Sequence, residues 1–101
     1  MPPGDSVEEY LLINVNRWRR QVGLPSAESV AAAGVNESQL GGLTAYAVDL
    51  VADTDKPDAP RILGVIIPRG GQAWFVKMTG PNALVGTQKD AFTQFVQSIE
   101  F

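Results

Sequence analysis

The sequence predicts an α+β fold, in which a small antiparallel sheet of about three strands is covered by an N-terminal and a C-terminal helix. Two observations carry this prediction. Apolar residues recur at helical spacing near both ends of the chain and alternate with a period of two between them. The run Arg69-Gly70-Gly71-Gln72 predicts a β-hairpin turn between two predicted strands, because glycine accepts positive φ.

The first helix is predicted at residues 6–22. Ser6 is a candidate N-cap, and Glu9, three residues later, completes a capping box. Gly23 and the following Pro25 are typical of the end of a helix. The residues at helical spacing, which define its apolar face, are Val7, Leu11, Val15, Trp18 and Val22.

The segment after this helix predicts less regular structure. Residues 26–33 contain four alanines and predict a short second helix, which Gly34 ends. Residues 34–42 are expected to form a loop, in which Gly41-Gly42 interrupts regular structure.

Alternation predicts strands at residues 43–52 and 73–79, a run rich in β-branched residues predicts another at 61–68, and a final helix is predicted at 82–98. Gly86 lies inside that helix and weakens it by about 1 kcal/mol relative to Ala. In the first strand, one face is expected to carry Tyr46, Val48 and Leu50. In the third strand, one face is expected to carry Trp74, Val76 and Met78, and the other face Phe75, Lys77 and Thr79. The apolar positions of the final helix are Val85, Phe92, Phe95, Val96 and Ile99.

Length and composition restrict the function classes. The 101 residues suit one domain. The absence of Cys and His excludes thiolate nucleophiles, Ser-His-Asp arrangements and His- or Cys-based zinc sites. The net charge of −3 argues against a nucleic-acid partner, because nucleic-acid binders usually carry a basic face. We expect no cofactor and no metal ion.

The chain is expected to be one α+β domain at residues 6–101, preceded by a tail at residues 1–5. No apolar run approaches the ~20 residues that a membrane span needs. The first five residues lack the charged and apolar regions of a signal peptide. A Met directly before a Pro-Pro-Gly segment favours the C-terminal part of a longer protein.

Two segments are candidate binding sites. Arg17 and Arg20 flank Trp18 on the first helix, and guanidinium groups bind anions bidentately. Alternatively, Trp18 belongs to the buried face while the arginines are solvated. The hairpin tip is the second candidate, because backbone N–H groups of glycine-rich turns can hold a phosphate. Simple turn chemistry is the alternative there. The candidate residues at the hairpin tip are Arg69, Gly70, Gly71 and the nearby Trp74.

Acidic residues suggest two further sites. The loop carrying Asp53, Asp55 and Asp58 has oxygen ligands of the kind that calcium prefers, but it lacks the glycine and glutamate of an EF-hand. A solvated turn is therefore the favoured interpretation. Asp49 and Glu100 are candidate acid–base groups. Nothing pairs them by spacing, and general acid–base catalysis needs a positioned partner.

Two stretches of the sequence carry a family resemblance. They comprise Asn14-Val15-Asn16-Arg17-Trp18-Arg19 with Gly23-Leu24-Pro25, and then Arg61-Ile62-Leu63-Gly64, Pro68, Gly70-Gly71, Trp74-Phe75, Lys77, Thr79-Gly80, Gln88-Lys89, Phe92 and Phe95. These residues resemble an uncharacterised family of exported bacterial domains and lipoproteins, which is similar to the PsbP-like fold. The resemblance implies an α-β-α sandwich, a non-catalytic role, and a cell-envelope or periplasmic location, with a cytoplasmic location as the alternative. It also implies strands before the first helix.

These observations predict a non-catalytic binding or interaction domain, monomeric or weakly dimeric, with an unknown protein or small-molecule partner. A structural module that completes its sheet with a partner strand or a second copy is one alternative. A small carboxylate-dependent enzyme is the other, with Asp49 acting beside Lys77 or Arg69. That enzyme requires Asp49 and its basic partner to lie on one face of the sheet.

Overall fold

Two helices enclose a run of four strands in the order α-β-β-β-β-α. The computed structural model describes residues 7–70 and 72–99, so Ser6, Gly71, Glu100 and the 1–5 tail lie outside the described residues. The elements are α1 (Val7–Gln21), β1 (Asn36–Leu40), β2 (Leu43–Val51), β3 (Pro60–Arg69), β4 (Gln72–Pro81) and α2 (Asn82–Gln97).

The sheet is an antiparallel meander in the order β1-β2-β3-β4, so the prediction of about three strands is one strand short. The β3–β4 hairpin forms as predicted, and its register pairs Arg69 with Gln72. The other hairpin joins β1 and β2 by pairing Leu40 with Leu43. Gly41 makes its turn together with Gly42, at φ values of 58° and 85°. Such positive φ values at both central positions define the tight turns of two-residue hairpins.

The predicted short helix at 26–33 is wrong, because that segment forms turns. Side chains of α1 hold its backbone instead. The Asn16 side chain accepts a hydrogen bond from Ala27 N (2.8 Å) and donates one to Ala27 O (3.0 Å). Arg19 Nε donates to Pro25 O (2.8 Å). Eight residues are too few for alanine propensity alone to nucleate a helix.

One face of the sheet, the α1 face, packs against α1. Ile66 lies at its centre and is fully buried. Trp18 lies directly over Gly64, where a Cβ would approach the indole Cε3 to 2.9 Å. Glycine at this position therefore lets the indole ring lie against the backbone of β3. The buried residues of this core are Leu11, Val15, Trp18, Val22, Ala33, Val48, Leu50, Ile62 and Ile66.

The opposite face, the α2 face, packs against α2. Its contacts run mainly to β4 and β3, so the helix crosses one half of the sheet. Phe95 was expected on the apolar face of this helix but is 59% exposed. The buried residues of this second core are Leu40, Ala45, Leu63, Val65, Ile67, Val85, Phe92 and Val96. Among residues 7–70 and 72–99, neither α1 nor α2 has the length and apolar content of a membrane-spanning helix.

Candidate functional site

A cleft of about 230 Å³ opens on the α2 face, between the β1–β2 half of the sheet and the second half of α2. It exists because α2 lies over β3 and β4, while β2 presents the small side chains of Ala45 and Ala47 beneath the uncovered space. The floor of the cleft is apolar, and β1 adds a polar rim. The lining includes Asn36, Ser38, Leu40, Ala45, Ala47, Asp49, Leu63, Val65, Lys89, Phe92, Thr93, Val96 and Gln97.

Three charged side chains meet at one end of the cleft. Arg61 holds the Asp49 carboxylate bidentately, with Nε–Oδ1 at 2.8 Å and Nη2–Oδ2 at 2.6 Å. Lys89 Nζ donates to the same Oδ2 at 2.8 Å. Two cations on one carboxylate leave a local charge of +1. Lys89 is the exposed member, with 53% of its side chain accessible.

The position of Arg61 also explains the glycine inside α2. A Cβ at Gly86 would come within 3.0 Å of Arg61 Nη1, so glycine at this position leaves room for the guanidinium beneath the helix. The same Nη1 donates to Asn82 Oδ1 (3.1 Å) at the start of α2. Gly86, which the sequence marks as a helix-weakening residue, thus makes room for the ion pair.

Asn82 extends this network to the acidic loop between β2 and β3. Its side-chain amide donates to Thr54 O and Lys56 O, both at 3.2 Å. Its backbone N–H donates to Ala59 O, and that of Ala83 donates to Pro57 O. The loop therefore caps the first turn of α2.

The first carboxylate of the acidic loop stabilises a turn. Asp53 Oδ1 accepts a hydrogen bond from Asp55 N (3.0 Å), which is an Asx-turn. No three acidic side chains are grouped as metal ligands anywhere in residues 7–70 and 72–99.

The ion pair contributes to the acid sensitivity of the fold. The hydrogen bond from Arg61 is the main cause that lowers the pKa of Asp49, with Lys89 adding to it, although burial of the carboxyl acts in the opposite direction. A carboxyl with a lowered folded-state pKa stabilises the fold above its unfolded pKa, and this contribution is lost as pH falls through the folded value.

We therefore expect Asp49→Asn to be less stable than the wild type at pH 7, and we expect this difference to shrink steadily as pH falls below about 4. Urea unfolding at pH 7, 5, 4 and 3 measures the difference. Asp58→Asn is the matched control, because Asp58 is exposed. A stability gap between wild type and Asp49→Asn that is independent of pH would contradict the assignment.

The binding residues predicted on the first helix do not line the cleft. Trp18 is 3% exposed and belongs to the core of the α1 face. Arg17 Nη2 donates to Asn14 Oδ1 (2.9 Å), and Arg20 Nη1 donates to Ser26 Oγ (3.4 Å). Both arginines are exposed on α1, on the other side of the sheet from the cleft.

The predicted residues of the hairpin also lie outside the cleft. Arg69 and Gly70 are exposed at the end of the β3–β4 hairpin, and Gly71 is not described. Trp74 is 52% exposed on β4, on the α2 face but beyond the helix. The structure therefore separates these residues from the Arg17–Arg20 segment.

The pairing of Asp49 with Lys77 does not form. Lys77 lies on the α1 face, where its Nζ donates to Gln21 Oε1 (2.9 Å) and lies 5.6 Å from the Trp18 ring centroid. Asp49 lies on the α2 face with Arg61. A carboxylate with a lowered pKa is a weak general base at neutral pH.

No protein-family model matches the chain, and neither a curated protein nor a solved structure matches it. The PsbP-like resemblance therefore stays a prediction. The chain has an α+β fold with a four-stranded antiparallel sheet, and its cleft is apolar along the floor and cationic at one end.

Proposed function

We propose that this chain is a non-catalytic binding domain whose cleft takes a small carboxylate with an apolar tail. One observation carries the proposal: the ammonium of Lys89 lies at the end of a cleft whose floor is apolar. An apolar pocket with a few convergent polar groups is the usual form of a small-molecule site. As part of the same proposal, the resemblance to exported bacterial domains supports a location in the cell envelope.

The charges at the cleft favour an anionic head group. Arg61 neutralises the carboxylate of Asp49, so the charge of Lys89 is uncompensated within this cluster. An ammonium has three donors, and Asp49 accepts one of them. The remaining donors of Lys89 can bind a ligand carboxylate at the half-exposed mouth of the cleft, where a ligand carboxylate stays partly hydrated.

The size of the cleft sets the length of the tail. A cavity of about 150 Å³ accommodates benzene. By proportion, about 230 Å³ accommodates roughly nine non-hydrogen atoms. The tail lies along Ala45 and Ala47 with Phe92 and Val96 on the helix side. Carboxylates of six to eight carbons fit this description.

Titration calorimetry with hexanoate, heptanoate and octanoate tests the proposal. We expect octanoate to bind with a Kd of about 1 mM, which corresponds to ~4 kcal/mol. Each added methylene tightens the Kd about fourfold, because burying one CH₂ contributes ~0.8 kcal/mol. The gain ends once the cleft is full, so decanoate binds no more tightly than octanoate.

Two variants locate the site. Lys89→Gln is expected to weaken octanoate binding about tenfold, the usual loss for one charge-assisted hydrogen bond. Ala47→Leu fills the cleft and abolishes binding without unfolding the domain. Arg20→Gln is the matched control, because it removes one positive charge from an exposed position of α1, on the opposite side of the sheet from the cleft. Equal binding of octylamine and octanoate, or equal losses in Lys89→Gln and Arg20→Gln, would contradict the proposal.

A further inference from the structure

The second candidate surface is the outer edge of β4, which is independent of the cleft. β4 is ten residues long and lies at the edge of the sheet, where no strand among the described residues pairs with its outer side. Proteins usually protect long edges with charges, bulges or short strands. Lys77 is the single charged residue of β4. The opposite edge, β1, has five residues, four of them polar.

Apolar surface accompanies this edge. Trp74 is 52% exposed on the α2 face of β4. Further along the same face, a shallow and mostly apolar groove separates β4 from α2, and its lining includes Val76, Met78 and Phe95. Phe95 is 59% exposed. The exposed side chain of Trp74 and the β4 side of the groove thus lie on the same face of one strand, within four residues of each other.

A two-fold axis brings these two features together. In an antiparallel pair of two β4 strands centred on Val76, Trp74 lies opposite Met78 of the second copy, and directly opposed side chains share a face. Trp74 of each copy then fills the groove of the other. On the α1 face, Phe75 lies opposite Lys77 of the second copy, while the Lys77 ammonium keeps its hydrogen bond to Gln21 Oε1 of its own copy. No like charges oppose each other in this register.

We propose that β4 pairs with β4 of a second copy of this chain, which joins two four-stranded sheets into one of eight strands, with Trp74 of each copy in the β4–α2 groove of the other. A two-fold interface is self-complementary, so one strand must supply both the projecting side chain and its groove. β4 supplies both. The outward-facing backbone N–H and C=O groups of β4 supply the hydrogen bonds.

Sedimentation equilibrium from 10 µM to 1 mM tests the pairing. We expect the average mass to rise with concentration from 10.8 kDa towards twice that value. Each copy carries a net charge of −3, so the dimer is expected to strengthen when salt is raised from 20 to 300 mM. Amide hydrogen exchange should slow across β4 at the higher protein concentration.

Trp74→Lys is expected to raise the dimer dissociation constant at least tenfold. Ile13→Lys is the matched control, because Ile13 is a 65% exposed apolar residue on α1, and it should leave the dimer unchanged. Trp74→Ser serves the same purpose if the lysine variant does not fold. A chain that is monomeric at 1 mM, a dimer that survives both Trp74 variants, or equal losses in Trp74→Lys and Ile13→Lys would overturn the proposal.

Discussion

Gly64→Ala is expected to destabilise the domain by about 3 kcal/mol, the upper end of the cost of overpacking a core. The new methyl would lie 2.9 Å from Cε3 of Trp18, 3.0 Å from Cη2 and closer still to Cζ3. The indole is 3% exposed and packs edge-on against Phe75, so it cannot move away cheaply. α1 must shift from the sheet instead. Urea unfolding measures the loss, and the midpoint of thermal unfolding should fall by about 15 °C.

Two further experiments distinguish overpacking at Gly64 from a general sensitivity of the strands to a glycine-to-alanine substitution. Gly80→Ala places a methyl 3.3 Å from Val85 Cγ2 on the other core, and we expect a loss below about 1 kcal/mol. Trp18→Leu removes the obstructing ring. The double variant Gly64→Ala with Trp18→Leu should lose at least ~1.5 kcal/mol less than the sum of the single losses. Additive losses would show that the indole does not set the requirement for glycine.

Arg61→Met is expected to cost about 2–3 kcal/mol, because it leaves the carboxylate of Asp49 and the side-chain oxygen of Asn82 without their shared donor. The Arg61 side chain is 16% exposed, so water replaces it poorly. Chemical unfolding at pH 7 provides the measurement.

Lys89→Met is the matched control for this prediction. It removes the other cation from the same carboxylate, but at a half-exposed position where an ion pair contributes about 0.5 kcal/mol. The critical result is which of the two variants, Lys89→Met or Arg61→Met, loses more free energy of unfolding. If Lys89→Met costs as much as Arg61→Met, the buried guanidinium does not carry the network.

Most of the sheet could be predicted from the sequence because β2 and β4 show two-residue alternation, while β3 is a short, nearly continuous apolar run that is buried on both faces. Strand β1 could not be predicted, since Asn36–Leu40 has one buried residue and four exposed polar ones. A polar edge strand of this kind shows no alternation of apolar and polar residues. The two positive-φ glycines, Gly41 and Gly42, were the available signal, because Gly-Gly is a preferred hairpin turn. The predicted helix at 26–33 does not form because side chains of α1 bind the backbone of this part of the chain.

The candidate site was predictable only in part. Asp49 stood out as a carboxylate within an apolar strand, but its partners lie 12 and 40 residues away in sequence. Their approach depends on the strand register and on the path of α2. The cleft itself comes from that path together with the small side chains of Ala45 and Ala47. For Trp74, alternation indicated the face, while its exposure follows from where α2 ends its cover of β4.

Nuclear magnetic resonance titration of the ¹⁵N-labelled chain with octanoate tests the proposed cleft most directly. We expect the amide shifts that change with octanoate to cluster at Ala45, Ala47, Lys89 and Thr93, to saturate with a Kd near 1 mM, and to be absent from the Arg17–Arg20 segment. Octylamine should produce no saturating change at these positions. Shifts scattered over both faces of the sheet, or the same shifts with octylamine, would contradict a carboxylate site at this cleft.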